Sequence, residues 1–345
     1  MEQDKSEGEK TGNEIYIPEE RTLSYQSEAG YRDAVESICA TPGIYKLLHT
    51  NRGRTTVKET SIIEVRHKHN QNSGRFMIQM DGDVLKQVFK ALSIVDSEFV
   101  MKISQDGISI KITDPAHVEM VSVTITPDAI TAMEVGDATS VVVDTRSMPK
   151  IGKGPFTISS GELAFDRTEQ AAVDGRTVID VVPYYRTIHY EQDGIVDERD
   201  TVNPDGVIIP RTPAVTDHTA VAQVDISRIL SFINRAKNTS DAVTITMEGD
   251  IITFASANDT GRTTMAIEDV DIAYTGVQGK VVSSYPMPYL EAMANVFRTG
   301  NVSMAIADDY PMKLTAPIMT ELGYIIEVVY LLAPRLPDPV KGDRN

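Results

Sequence analysis

A chain of 345 residues with a formal net charge of −17 is long enough to form two or more domains with large buried cores. Its composition, 41% hydrophobic and 24% charged, is typical of a soluble globular protein, and no apolar run approaches the roughly 18 residues of a membrane-spanning helix. The acidic start lacks the apolar segment of a secretory signal, and the single cysteine, Cys39, excludes an intrachain disulfide and predicts a reducing cytoplasm.

The first 75 residues differ in character from the rest of the chain. Residues 1–20 are polar and acidic and are predicted to be a disordered tail. Residues 21–74 form an N-terminal extension, with a possible short helix within 31–48 and a possible strand at 60–69. This extension carries no motif that assigns it a function.

From Phe76 onward the pattern becomes regular and then repeats. A strand leads into a helix that begins near Asp83, several strands follow, and a shorter helix is predicted after Asp144. The same order returns with a helix capped by Asp225 and another from about residue 286 to residue 298. Because Asp83 and Asp225 lie 142 residues apart, we interpret the chain as a duplicated α+β unit with two helices and many antiparallel strands per copy. The predicted domains are 75–190 and 217–338, joined by a connector at 191–216 and followed by a tail at 339–345.

Positive charge is concentrated on the exposed faces of the predicted helices. In the first helix the apolar residues share one face, and lysines occupy the opposite face. Basic residues on a single solvated helix are common, but the bias recurs in all four segments of a strongly acidic chain. If the four helices line one surface, that surface attracts a phosphate backbone without reading its sequence. The basic residues are Lys86, Lys90, Arg146, Lys150, Lys153, Arg228, Arg235, Lys237 and Arg298.

Signatures of catalysis and of metal binding are missing. The segment Gly152-Lys153-Gly154 lacks the glycine spacing and the following hydroxyl residue of a phosphate-binding loop. His67 and His69 stand without further ligands, and no Ser/His/Asp pattern stands out. We therefore expect no catalytic residue, no metal and no cofactor.

Four segments carry a family resemblance. They are FMIQMDGDVLKQVFKAL at 76–92, DPAHVEMVSVTI at 114–125, DDYPMKLTAPI at 308–318 and VVYLLAPRL at 328–336. Their order and content resemble the archaeal and eukaryotic DNA sliding clamps of the proliferating cell nuclear antigen (PCNA) family, from about residue 76 to residue 336. Three departures stand out: the extra N-terminal residues, the poorly matching stretch 169–194, and Pro149 and Gly152, which make the second helix irregular.

The resemblance implies two tandem clamp domains, with antiparallel sheets outside and two helices each inside, and a homotrimeric ring around double-stranded DNA. Such a clamp is a replication and repair protein without enzymatic activity. It tethers DNA polymerase and other proteins that carry a clamp-binding peptide, and an ATP-driven clamp loader opens it. We expect it in the cytoplasm of an archaeal cell, associated with the nucleoid, or, if the protein is viral, in the cytoplasm of the host cell. The implied DNA-facing residues are Lys86, Lys90, Arg146, Lys150, Arg228, Arg235 and Arg298.

The resemblance also implies two kinds of protein contact. An apolar pocket for the partner peptide would be formed by His117, Val118, Met120, Ile208, Ile209, Pro210, Pro311, Ala333 and Pro334. Subunits would join through edge strands at 161–167 and 261–268, with Glu162, Phe165, Arg167, Arg262, Thr264 and Ala266 at the interface.

Two other hypotheses remain open. The chain is also compatible with a clamp-like subunit of a hetero-oligomeric repair or checkpoint ring, which differs in that it does not close a ring alone. An unrelated acidic α+β enzyme is the third possibility, and turnover that depends on a specific carboxylate would favour it.

Overall fold

The structure is a computed structural model that describes residues 21–25, 27–39, 42–50, 57–67, 74–173, 176–207, 211, 215–275, 279–321 and 323–335. It divides into two compact units. The N-terminal unit combines the chain before residue 71 with Phe165–Pro183, and the clamp unit holds the rest. The predicted tails at 1–20 and 339–345, and the connector residues Ile208, Ile209 and Pro210, lie outside the described residues.

The helices and strands follow one another in a regular order. The N-terminal segment holds β1 (Arg21–Tyr25), α1 (Glu28–Cys39), β2 (Gly43–Thr50) and β3 (Val57–His67). Next come β4 (Phe76–Asp81), α2 (Gly82–Leu92), β5 (Glu98–Ser104), β6 (Gly107–Thr113), β7 (Glu119–Ile125), β8 (Ala132–Val135), β9 (Thr139–Asp144), β10 (Pro155–Ser160), β11 (Leu163–Val173), β12 (Arg176–Tyr185), β13 (Thr187–Gln192) and β14 (Ile195–Asp200). The last part holds β15 (Ala220–Asp225), α3 (Ile226–Ala236), β16 (Ala242–Glu248), β17 (Ile251–Asn258), β18 (Gly261–Ile267), β19 (Ile272–Tyr274), β20 (Lys280–Pro286), α4 (Met287–Phe297), β21 (Asn301–Ile306), β22 (Met312–Met319) and β23 (Ile325–Leu332).

The N-terminal unit is a five-stranded sheet in the order β1-β2-β3-β12-β11. Two neighbouring strands, β12 and the edge strand β11, come from the middle of the chain, and β12 runs parallel to β3 with Ile179 opposite Val65. Ile179 and Val181 are buried in the same apolar cluster as Val35 and Ile38 of α1. The sequence predicts a boundary between the extension at 21–74 and the first clamp domain at 75–190, whereas in the structure a hairpin from within 75–190 completes the sheet of the extension.

The hairpin β11–β12 leaves the clamp unit through a tight base. The Gly161 N–H donates to the Thr187 carbonyl, and a Cβ added at Gly161 would lie 2.2 Å from Thr187 Oγ1, so only glycine fits there. One residue further on, the Arg186 N–H donates to the Glu162 carbonyl at 2.8 Å, and the two side chains form an ion pair. The two ends of the insertion are therefore held side by side.

The clamp unit confirms the predicted α+β class and the duplication. The five-stranded sheet β14-β13-β10-β4-β8 of the first repeat has the same strand order as β23-β22-β21-β15-β19 in the second. Likewise, β7-β6-β5-β9 corresponds to the four-stranded sheet β18-β17-β16-β20. Antiparallel pairing of β23 with β7 joins the two repeats into one nine-stranded sheet. A single apolar core runs through both repeats.

Helices α2 and α3 begin where their strands end, at an aspartate. Asp81 accepts a hydrogen bond from the Val84 N–H at 3.0 Å, and Asp225 accepts one from the Ser227 N–H at 2.8 Å. The cap of α2 is therefore Asp81 and not Asp83, which lies in the first helical turn. Both helices bury one apolar face in the shared core, and α4 packs against both of them.

The helix predicted after Asp144 is absent from the described first repeat, which has α2 alone. The chain makes a turn instead, in which Asp144 accepts from the Arg146 backbone and is bridged by its guanidinium. Pro149 disfavours the helical conformation of the residue before it, and the following segment is held by other bonds. The Gly82 N–H donates to the Gly154 carbonyl at 2.8 Å, and a Cβ at Gly82 would lie 2.2 Å from the Gly152 carbonyl oxygen. Close packing on α2 therefore replaces the second helix.

Candidate functional site

Four of the predicted DNA-facing residues lie on exposed helix faces. Lys86 and Lys90 are exposed on α2, and Arg228 and Arg235 are exposed on α3. Each lies opposite the apolar face that its helix buries, and none forms an ion pair with another described residue. Because α4 contacts both α2 and α3, the three helices form one layer of the clamp unit. That layer can present uncompensated positive charge to a polyanion.

The other three predicted cations lie in different settings. Arg146 is exposed in the turn after β9, but Asp144 pairs with it, and the resulting hydrogen bond lowers the pKa of that carboxyl. Lys150 is exposed in the irregular segment that follows. Arg298 is the C-cap of α4 and donates through Nε to the Asn295 carbonyl at 3.2 Å. Arg146 thus offers less net charge to a ligand than the lysines of α2.

A loop held by a buried aspartate shapes the predicted peptide pocket. Asp114 is 7% exposed, and its carboxylate accepts the N–H groups of Ala116, Val118 and Glu119 at 3.1, 2.7 and 2.8 Å. His117 takes a left-handed conformation with φ 56° at the apex. The DPAHVE motif therefore builds a rigid loop, and this explains why an aspartate begins it.

The loop and the end of the chain meet across the junction of the two repeats. The Ala333 N–H donates to the Val118 carbonyl at 2.8 Å, and Met120 of β7 lies opposite Leu331 of β23. Both side chains of that pair are nearly buried, at 4% and 7% exposed. The structure thus brings together three of the residues named for the pocket, Val118, Met120 and Ala333, and places Leu331 beside them. Leu331 was not among the predicted residues, although the apolar alternation of β23 includes it.

Pro311 and Pro334 complete the described part of this apolar strip, called here the groove. The Pro311 carbonyl lies 3.0 Å from His218 Nε2, so the ring donates from that nitrogen. Burial lowers the pKa of His218, whose ring also packs edge-on against Tyr310. His218 was not predicted to lie at this site, because a single histidine at the end of the connector belongs to no sequence motif. Beyond Pro334, Arg335 ties the chain to Asp241 and to the Ser284 carbonyl.

A buried polar pair lies beneath the groove. The Tyr330 hydroxyl donates to Glu119 Oε2 at 2.6 Å and also contacts the Tyr289 carbonyl at 3.2 Å. Burial raises the pKa of the Glu119 carboxyl, the hydrogen bond from Tyr330 opposes this, and the nearby Asp114 charge adds to it. The pair connects β7, β23 and α4 at the junction of the repeats.

The residues predicted for the subunit interface fall into two groups. Arg262, Thr264 and Ala266 lie on β18, which is the free edge of its sheet. Phe165 instead packs against the core of the N-terminal unit, and Arg167 lies on β11 of the same sheet. Glu162 lies at the base of the hairpin. In the first repeat, the strand that occupies the position of β23 is β14, whose Ile195 and Val196 are 67% and 59% exposed.

Within the described residues, no helix is long and apolar enough to cross a membrane. The same part of the chain contains no group of three histidine, cysteine, aspartate or glutamate side chains arranged to hold a metal ion.

Comparisons with known proteins agree with the fold and the motifs. Residues 76–157 match the family model described as proliferating cell nuclear antigen, N-terminal domain. Proteins named DNA polymerase sliding clamp are similar to this chain. The one from Thermoplasma acidophilum is 22% identical over 73% of this chain and 95% of its own length, and the one from Halobacterium salinarum is 25% identical over 76% and 98%.

Two solved structures resemble the clamp unit. PCNA from Thermococcus kodakaraensis has a TM-score of 0.61 at 17% identity, covering 75% of this chain and all of that chain. A. fulgidus PCNA, solved with the C-terminal region of FEN-1 bound, has a TM-score of 0.61 at 19% identity, covering 76% of this chain and all of that chain. The resemblance to the PCNA family of DNA sliding clamps is therefore confirmed, and the chain carries the fold of that family from about residue 76 to the end of β23.

Proposed function

We propose that this protein is a DNA sliding clamp, a processivity factor whose copies close a ring around duplex DNA and tether DNA polymerase and other replication and repair proteins. The observation that carries the proposal is the duplication. Each repeat has two strands that can pair with another repeat, one on either side. One such pair, β23 with β7, joins the two repeats within the chain. The equivalent strands, β14 and β18, are both free edges. A second copy can occupy those edges, and head-to-tail pairing that closes makes a ring.

The internal junction supplies the register of this contact. Asp81 and Asp225 are equivalent helix caps in the two repeats. When the paired residues of neighbouring strands are traced outward from each cap, Val196 of β14 takes the position that Val329 has in β23. In the same way, the two-residue turns that end β5 and β16 make Ser122 equivalent to Thr264. Because Val329 lies opposite Ser122, we place Val196 opposite Thr264 of the next subunit.

This register matches chemically complementary residues. Ile195 then lies opposite Met265 of the next subunit on the inner face, where both add to the apolar core. Glu198 lies opposite Arg262 of the next subunit on the outer face, as a cross-strand pair of opposite charge. The proposal keeps Arg262, Thr264 and Ala266 at the interface and replaces Glu162, Phe165 and Arg167 by β14.

In such a ring, the helical layer faces the hole. Lys86, Lys90, Arg228 and Arg235 contact phosphates without reading bases, which lets the clamp slide. The groove at Val118, Met120 and Ala333 takes the clamp-binding peptide of a partner, and an ATP-driven loader opens the ring at a β14–β18 contact. By family likeness the ring has three identical subunits, and the function is topological and involves no catalysis.

The assembly test is a charge exchange at the proposed interface. Light scattering of the wild type should give a single species of three times the chain mass. Glu198→Arg and Arg262→Glu should each weaken the ring by placing like charges opposite each other, and the double variant should restore it. Lys102→Glu, in the middle of a sheet face, is the matched control. If the double variant stays as dissociated as either single variant, this register is wrong.

The same measurement separates the homotrimer from a hetero-oligomeric ring. A self-complementary pair, Glu198 with Arg262, favours closure by identical copies. A wild-type protein that stays monomeric at micromolar concentration and moderate salt would instead support a ring shared with different subunits.

A further inference from the structure

The groove contains one charged residue in an otherwise apolar row of side chains. Met120, Leu331, Lys313 and Ala305 lie directly opposite one another on β7, β23, β22 and β21. Opposed residues of an antiparallel pair point to the same face, so these four side chains share the outer face of the nine-stranded sheet. With strands about 4.8 Å apart, Lys313 lies about 10 Å from Met120. A peptide lying over Met120 and Leu331 therefore has Lys313 at its edge.

Lys313 has no charge partner among the described residues. It is half-buried, while Met120, Leu331 and Ala305 are at most 7% exposed. Lys313 and Asp217 both act electrostatically on His218, and the Asp217 carboxylate accepts the Thr216 hydroxyl. The carboxylates of Asp114, Glu119 and Asp308 also accept hydrogen bonds from other groups.

A peptide that covers this row changes the solvation of the lysine. Its apolar anchors displace water from the surface on which the stem of Lys313 lies. Removing water from an ammonium group without supplying a counter-charge is unfavourable, and a carboxylate of the peptide relieves that penalty. The chain as a whole is acidic, with a net charge of −17, so this attraction has to come from a local cation.

We propose that Lys313 makes the groove selective for peptides that carry an aspartate or glutamate next to their apolar anchors. This inference rests on the proposed peptide-docking function of the groove. Lys313 is a specificity residue here: it does not form the apolar site, and it determines which of the peptides that bind there bind more tightly.

A glutamate scan tests the inference directly. The parent is a fluorescent synthetic peptide with one leucine and two phenylalanine anchors and only serine, alanine and glutamine elsewhere, and each variant has a single glutamate at one non-anchor position. Anisotropy titrations compare the wild type with Lys313→Met, Lys313→Glu and the control Lys102→Glu, which changes an exposed lysine on the same sheet face. Thermal melting and light scattering verify that fold and assembly are unchanged.

At one or two adjacent positions, glutamate should tighten binding to the wild type and to Lys102→Glu by about three- to tenfold, the range of a partly desolvated ion pair. The gain should vanish in Lys313→Met and reverse in Lys313→Glu, which should prefer lysine at the same position. A flat scan, or a gain that survives in Lys313→Met, would overturn the inference while leaving the groove proposal intact. If the parent peptide and all its variants fail to bind, the groove itself is wrong.

Discussion

Truncating Ile179 to alanine should unfold the N-terminal unit and leave the clamp unit assembled. Ile179 lies on β12, is 1% exposed and pairs with Val65 across the parallel β3–β12 contact. It comes from a hairpin more than a hundred residues away from β3 in sequence. If the extension depends on that hairpin for its core, a single truncation in the hairpin must also destabilise β2 and β3.

The expected magnitude is large relative to the stability of so small a unit. Ile→Ala removes three carbon atoms, worth about 0.8 kcal/mol each, and the cavity left behind brings the loss to about 3–4 kcal/mol. Without the predicted tail at 1–20, the unit has roughly 70 residues and a free energy of unfolding of about 3–10 kcal/mol at 0.05–0.15 kcal/mol per residue. The variant should therefore be near or beyond the point at which this unit is half unfolded.

Hydrogen exchange resolved by peptide is the assay, because it reports the opening free energy of each segment separately. In Ile179→Ala, peptides from β2 and β3 should lose most of their protection, while peptides from α2 and β16 stay unchanged and light scattering gives the wild-type mass. Thr168→Ala, at an exposed position of β11, is the control and should change nothing. Full protection of β2 and β3 in Ile179→Ala would refute the reasoning and show that the extension folds without the hairpin.

Two further outcomes are expected. Lys86→Glu with Lys90→Glu should preserve the ring but shorten the products of a clamp-dependent polymerase about tenfold, since phosphates then meet like charge; products of unchanged length would contradict the inward placement of α2. Burial raises the pKa of Glu119, so the folded state keeps that proton to a higher pH than the unfolded chain, and stability is lost as the pH rises from about 4.3 through the folded pKa. Urea titrations should therefore show that Glu119→Gln becomes more stable relative to the wild type between about pH 4 and pH 7. A stability difference that does not change with pH would show that folding does not raise the pKa of Glu119.

Local patterns predicted many elements of the clamp unit, but not all of them: β14 lies within the stretch 191–216 that was predicted to be the connector. The helix around Lys86 was predicted because its apolar and basic residues lie on opposite faces at helical spacing, whereas the edge strand at 261–268 was implied by the family resemblance. The predicted cap at Asp83 was two residues late, since both aspartates satisfy the capping pattern and only the observed bond from Val84 selects Asp81. The prediction of a helix after Asp144 was wrong. It rested on a local capping signal, whereas the packing of Gly82 against Gly152 joins residues that are distant in sequence.

The origin of the N-terminal unit could not be read from the sequence. Its central contact pairs Val65 with Ile179 in parallel, and parallel pairs between distant segments leave no turn signal. The poor match of 169–194 to the family marked the place of the insertion, though not its partner. Comparison of the repeats supplies the missing information: β10 and β13 are separated by a hairpin at the point where β21 and β22 are joined by a short turn.

In the ring proposed above, the duplication also indicates which of the two junctions is weaker. Inside the chain, β22 and β23 have eight residues each, and their extended end buries Ile318 and Ile326. The equivalent hairpin, β13–β14, has six residues per strand and no counterpart of that apolar end. A contact between subunits through β14 therefore buries less apolar surface than the contact within each subunit, and no covalent connection supports it. The proposed loader needs a junction that opens without unfolding the subunit, and in the proposed ring the shorter hairpin would supply one. The same shortness leaves Ile195 and Val196 uncovered in an unassembled copy, so closure of the ring also protects an edge strand that would otherwise invite aggregation.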